Sequence, residues 1–331
     1  AILLAAIFDG LANENPGLCL PGDLLKACDA VHDQNLPIPS ISMENIKTTL
    51  SEYFKPGMQF ADLAFELSRS DNRYKLFPAL AGHPLLESIL TRTRRLDGAV
   101  TTRVFQHFTL GSQKFEEFTG MKALFTSESY LVKYDRSLLD ENTRKMLLMH
   151  WEQSKCSVTI FTARPSLPQT GMAFTYNYSP EAEIAVHELR LSELPLIGGG
   201  KMGWLASRLG FPIEQLTKPS PVQALAAIGT AVTRQSGLSL QAAADFWFNE
   251  NVDFYQLLPP LSIHVFEDSG GNIKSVQNAA GRLNAAGMDV HFKAWGISEN
   301  PQKRQSLREA SAVLVPDINQ AIRNALSDEQ L

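Results

Sequence analysis

The sequence predicts an α/β fold: a three-layer, Rossmann-like parallel sheet carrying a large inserted helical cap. Three observations predict it. Short apolar runs recur at residues 2–8, 157–162, 263–266, 290–294 and 312–315, and helical patterns separate the later ones. Alternating strand and helix argues for a parallel sheet with helices on both faces and right-handed crossovers. About 145 residues of mostly helical pattern part the first run from the second, which is far too long for a simple crossover. Acidic and glycine-rich residues follow the run that ends at Phe266, and open α/β sheets hold ligands beyond the carboxyl ends of their strands.

Residues 1–8 are apolar but too few for a membrane span of about 20 residues. They also lack the basic flank of a signal peptide. A buried first strand is the expectation, and the chain does not start with Met, which leaves room for residues before Ala1. Candidate helices follow at 23–32, 42–54, 59–68, 83–96, 113–121 and 140–153, punctuated by Pro37, Pro39 and Gly57. This stretch, residues 14–153, reads as a helical cap leaving the sheet after strand one and returning at strand two. The core is then 1–13 and 154–331, with a smaller insertion at about 166–216. Within it, Ser179-Pro180-Glu181 is a helix start, with an N-cap Ser, Pro at the first helical position and an acid. Gly210 stops the helix over 202–209. Gly198-Gly199-Gly200-Lys201 invites a phosphate-loop reading, but it lacks that motif's spacing and follows a loop rather than an evident strand. No internal repeat and no low-complexity tract occurs.

Composition narrows the function classes. The 331 residues suffice for one large core or two domains. Hydrophobic content of 44% and charged content of 20% are ordinary for a soluble globular chain. Net charge is −5 with no long basic run, so nothing points to nucleic acid or an anionic membrane as partner; Arg92-Thr93-Arg94-Arg95 reads as a solvated helix face. Cys19, Cys28 and Cys156 are widely spaced and form neither a zinc pattern nor a disulfide framework, so a reducing cytoplasm is the expected location. The seven His residues show no metal-ligand spacing. His107, with Phe105, Phe108, Phe115 and Phe118, reads as cap core.

Four segments carry the candidate chemistry: Ile7-Phe8-Asp9-Gly10-Leu11-Ala12, Phe161-Thr162-Ala163-Arg164, Thr217-Lys218-Pro219-Ser220-Pro221 and Phe266-Glu267-Asp268-Ser269-Gly270-Gly271-Asn272. In that order they resemble the four motifs of the haloacid dehalogenase (HAD)-like hydrolase superfamily. The resemblance covers roughly residues 1–13, 156–166 and 214–328. It implies a magnesium-dependent phosphohydrolase acting on a small phosphorylated metabolite through an aspartyl-phosphate. Asp9 would be the nucleophile, Thr162 would hydrogen-bond the phosphoryl group, and Lys218 would neutralise its charge. Asp9, the backbone carbonyl of Leu11, Asp268 and Asn272 would hold Mg2+, which prefers oxygen ligands.

The first motif departs from the family pattern of an apolar strand, Asp, any residue, Asp, Gly. Aligning Asp9 with the nucleophile puts Leu11 where the general acid belongs. Aligning Asp9-Gly10 with the second Asp and its Gly puts Ile7 where the nucleophile belongs. Either way one carboxylate is missing. The fourth motif has Glu267 where Gly is usual and Asn272 where a second Asp is usual, which lowers the site's negative charge.

Each residue also has a plainer reading. Asp9 could be a turn residue before Gly10, Thr162 could serve a local backbone donor, Lys218 could be a surface residue, and Asp268 could cap the following helix. Two functions therefore stand: the divergent phosphohydrolase, and a catalytically impaired HAD-like pseudo-enzyme serving as a binding or assembly module.

Overall fold

In a computed structural model of the protein, the described residues are 48–50, 52–53, 60–69, 89–92, 96–97, 99–169, 179–211 and 213–328. The chain divides into two compact units: Ala1–Phe108 with Lys122–Thr126, and Thr109–Met121 with Ser127–Leu331. Asp9 and Leu11 lie outside the described residues, as do the expected first strand and the candidate helix at 23–32.

The described part of the first unit is mostly helical, and Lys122–Thr126 is not. Helix α1 (Phe60–Arg69) buries Leu63, Ala64 and Leu67, the three-and-four spacing of an amphipathic helix. Helix α2 (Val100–Leu110) carries His107, which is fully buried and stacked on Phe125 with ring centroids 4.1 Å apart. His107 is a packing residue, whereas Phe105, read as core beside it, is 61% exposed.

The second unit is α/β. It contains helices α3 (Ser112–Thr119), α4 (Tyr130–Tyr134) and α5 (Glu141–Glu152). Asp140 starts α5 by accepting the Thr143 N–H at 2.7 Å, the N-cap bond that an acid at a helix start makes. Residues 127–153 belong to this unit.

Strand β1 (Ile160–Phe161) pairs in parallel with β2 (Leu196–Ile197), and helix α6 (Glu181–Glu188) lies between them in sequence. Helix α7 (Gly199–Leu209) follows β2 directly, so the glycine run does follow a strand. Two apolar residues flanked by Pro and Gly gave too short a pattern to show it. Helix α8 (Pro221–Thr233) starts with the Ser220 cap and Pro at its first position, and α9 (Ser236–Asn249) and α10 (Asp253–Gln256) come next.

The last third alternates as expected: β3 (Leu261–Glu267), α11 (Gly270–Ala285), β4 (Val290–Gly296), α12 (Pro301–Glu309), β5 (Val313–Leu314) and α13 (Ile318–Asp328). The three strands pair in parallel in the order β3-β4-β5, with Leu261 opposite Val290 and Glu267 opposite Gly296. Strand alternation sorts the faces. Val265 and Ala294 join the main core with Ile273, Ala280 and Leu283 of α11. Phe266 and Trp295 pack with Ala321 and Ala325 of α13. Helix α8 contacts β1, β2, α9 and α11, and its apolar residues share one core with Ile197 of the two-stranded sheet and Val265 and Ala294 of the three-stranded one.

Candidate functional site

The site is built where β1 and β3 end. Phe161 closes β1, Glu267 closes β3, and Lys218 reaches them from the loop before α8. The Lys218 ammonium ion-pairs with Glu267 Oε1, and both side chains are nearly buried, at 8% and 11% exposure. It also lies 3.7 Å from the centroid of the Phe161 ring, where the ring's negative face attracts a cation. The second Glu267 oxygen accepts from Asn272 Nδ2 at 3.1 Å, out of the first turn of α11.

Strand geometry explains why Glu267 meets Lys218. Residues two apart share a strand face, so Glu267 follows Val265 onto the face packed against α8 and α11. Asp268 comes one residue later and turns away. Its carboxylate is 57% exposed and pairs with Lys303 of α12. It does not cap α11 either: the N-cap is Ser269, whose side chain makes no capping bond.

A second residue that sequence reasoning missed is Gln223. It is fully buried in the first turn of α8. Its Nε2 donates to the Thr162 carbonyl at 2.9 Å and the Ile197 carbonyl at 3.3 Å. Its Oε1 accepts the Lys218 N–H at 3.4 Å. One amide thus holds the ends of β1 and β2 and the Lys218 loop together, and the peptide bond between Lys218 and Pro219 is cis. The available signal was a lone amide in an otherwise apolar helix. For Glu267 it was a carboxylate in phase with the apolar strand residues.

The structure brings Lys218 and Asn272 together on Glu267 and places Thr162 beside them through Gln223. The Thr162 hydroxyl accepts the Arg164 N–H at 3.1 Å, so it serves a local backbone donor. Arg164 itself pairs with Asp135 at 3.1 Å and with Glu181 at 3.5 Å.

The glycine run has a packing role. A Cβ on Gly198 would stand 2.5 Å from the Ser166 side chain, and one on Gly200 would stand 1.9 Å from the Ser166 carbonyl oxygen. The Gly199 N–H donates to the Arg164 carbonyl and the Gly200 N–H to Ser166 Oγ, both at 2.9 Å. Two of the donors that a phosphate would need are thus used within the chain. Nearby, Lys201 Nζ donates to the Leu196 carbonyl at 2.7 Å. Burial pushes the Lys201 pKa down and, opposing this, the Glu183 carboxylate pushes it up.

Of the four residues implied to hold magnesium, Asp9 and Leu11 lie outside the described residues. Of the implied ligands, Asp268 is spent on Lys303, and Asn272 presents its amide nitrogen to Glu267. Glu267 holds Lys218. Among the described residues no group of three or more His, Cys, Asp or Glu side chains gathers as a metal site would require.

Fold and site define an α/β protein, mostly helical, with small parallel sheets and a closed ion pair at its strand ends. No protein-family model and no curated protein matches the chain. One solved structure, described as an X-ray structure of a Northeast Structural Genomics Consortium target, aligns with a TM-score of 0.44 and 13% identity. The alignment covers 70% of this chain and 53% of that one, so the chain spans about half the length of the structure it matches. No helix among the described residues is long and apolar enough to cross a membrane.

Proposed function

We propose that the chain is a HAD-like α/β protein that keeps the strand-end crevice and has lost its chemistry, so that it serves as a binding or assembly module. The observation that carries the reading is internal closure. Phosphoryl transfer to an aspartate needs a free cation for the phosphoryl oxygens and carboxylates free for a metal. Here the Lys218 ammonium is held by Glu267 and the Asp268 carboxylate by Lys303. Leu11 adds to this, since a Leu cannot protonate a leaving group.

A second reading keeps the divergent phosphohydrolase acting on a small phosphorylated metabolite. It is favoured by one observation: Gln223 gathers Thr162 and the Lys218 loop at the strand ends in the family's order. Asp9 would then attack, and the missing acid would confine turnover to good leaving groups. General acid–base help is worth roughly 10²- to 10⁴-fold.

The two readings part on an activated aryl phosphate, which needs no leaving-group protonation. The full chain is expected to show no magnesium-stimulated release of the phenol, and Leu11→Asp is expected to restore none. Magnesium-dependent hydrolysis that Asp9→Asn abolishes would overturn the binding-module reading and establish the second one.

A further inference from the structure

Glu267 is the acid that closes β3. It is an anion built into the site, at the place where the resemblance expects Gly. Both of its oxygens are engaged, one by the Lys218 ammonium and one by the Asn272 amide. The Phe161 ring covers the ammonium from another side. These contacts give Lys218 the partners that an incoming phosphate or carboxylate would otherwise supply.

Resting on the binding-site reading above, we propose that Glu267 is the specificity-determining residue of this site. It occupies the Lys218 cation from within, so the site rejects anionic ligands. An anion could reach the ammonium only by displacing Glu267, and the freed carboxylate would remain nearly buried beside it. Two like charges in one low-dielectric site disfavour each other strongly. Relief would need a second cation, and the nearest acidic neighbour, Asp268, has already taken Lys303. Selectivity of this kind comes from a repulsive element set against the wrong ligand.

The test is a gain of binding, which a merely structural ion pair would not produce. Inorganic phosphate is titrated calorimetrically into the full chain and into Glu267→Gln, with circular dichroism verifying the fold. The parent is expected to show no saturable binding at millimolar phosphate. Glu267→Gln, which frees the ammonium, is expected to bind at least about tenfold more tightly, the size of one charge-assisted hydrogen bond. Adding Lys218→Met to that variant should remove the gain. Glu267→Asp, which keeps the charge but withdraws it by one methylene, should give an intermediate gain and serves if the Gln variant folds poorly. Phosphate binding by the parent as tight as by the variant would overturn the proposal. So would a folded variant without gain, or a gain that survives Lys218→Met. None of these outcomes depends on hydrolysis, so failure here is distinct from failure of the binding-module reading.

Discussion

Glu183 shows what burial does to a single charge. Its Oε1 accepts the Leu167 N–H at 2.9 Å, while Oε2 is buried without a hydrogen-bond partner among the described residues. Burial pushes its pKa above the ordinary Glu value of 4.5; hydrogen bonds from its own and the Leu167 backbone, and the Lys201 charge, oppose the shift. A carboxyl with a raised folded pKa favours folding most when protonated. Its contribution is complete below the ordinary Glu range and is lost as pH rises through the folded pKa. In Glu183→Gln that loss is expected to vanish. Urea unfolding across a pH series should show the difference between variant and parent moving in the variant's favour as pH rises. A difference independent of pH would contradict the burial of this charge. The same attention to single positions separates Glu267 from Asp268. The sequence reading took the second acid for the site because the family pattern does, whereas strand alternation puts the first one there.

At the level of elements, local chemistry was readable wherever it was written in adjacent residues. Asp140 and Ser220 cap their helices and Pro221 takes the first position of α8; the start read at Ser179-Pro180-Glu181 is displaced by one residue, because Pro180 is itself the N-cap of α6 and no side chain makes a capping bond there. The strands of the last third appear where their apolar runs lie. Strand β2 and helix α9 were not read. The first has only Leu196 and Ile197 to mark it, and the second is apolar over much of its surface without a clear cap. The glycine run after β2 is the element most open to misreading, because its composition suits a phosphate and its geometry suits a neighbour. Gly200 is packed against the backbone at Ser166 and Leu167. Gly200→Ala is therefore expected to destabilise the protein by about 1–3 kcal/mol, the usual cost of overpacking. Chemical denaturation measures it, and an Ala variant as stable as the parent would show that this close approach is not required.

For the whole of the second unit, stability rests on α8. Val222, Ala224, Leu225 and Ala226 are each at most 1% exposed, in one core with Ile197 on one side and Val265 and Ala294 on the other. Leu225→Ala removes a fully buried side chain where both groups of strands meet, and the surrounding backbone has little room to close the gap. The expected loss is about 2–5 kcal/mol. It should appear as a lower denaturation midpoint with an unchanged slope. A loss below about 1 kcal/mol would mean that the core collapses around the cavity and that α8 is not its centre.

The sequence by itself determined the alternation of strand and helix in the last third and the order of the candidate motifs. Each of these depends on residues within a turn or two of one another. Only the tertiary structure decided which side chains meet. Lys218 and Glu267 are 49 residues apart, and Gln223 and Thr162 are 61 apart. Their contacts depend on how α8 packs against β1 and β3, and a one-residue change of phase on a strand exchanges one acid for its neighbour. Periodicity states which face a residue occupies, but packing decides what that face touches.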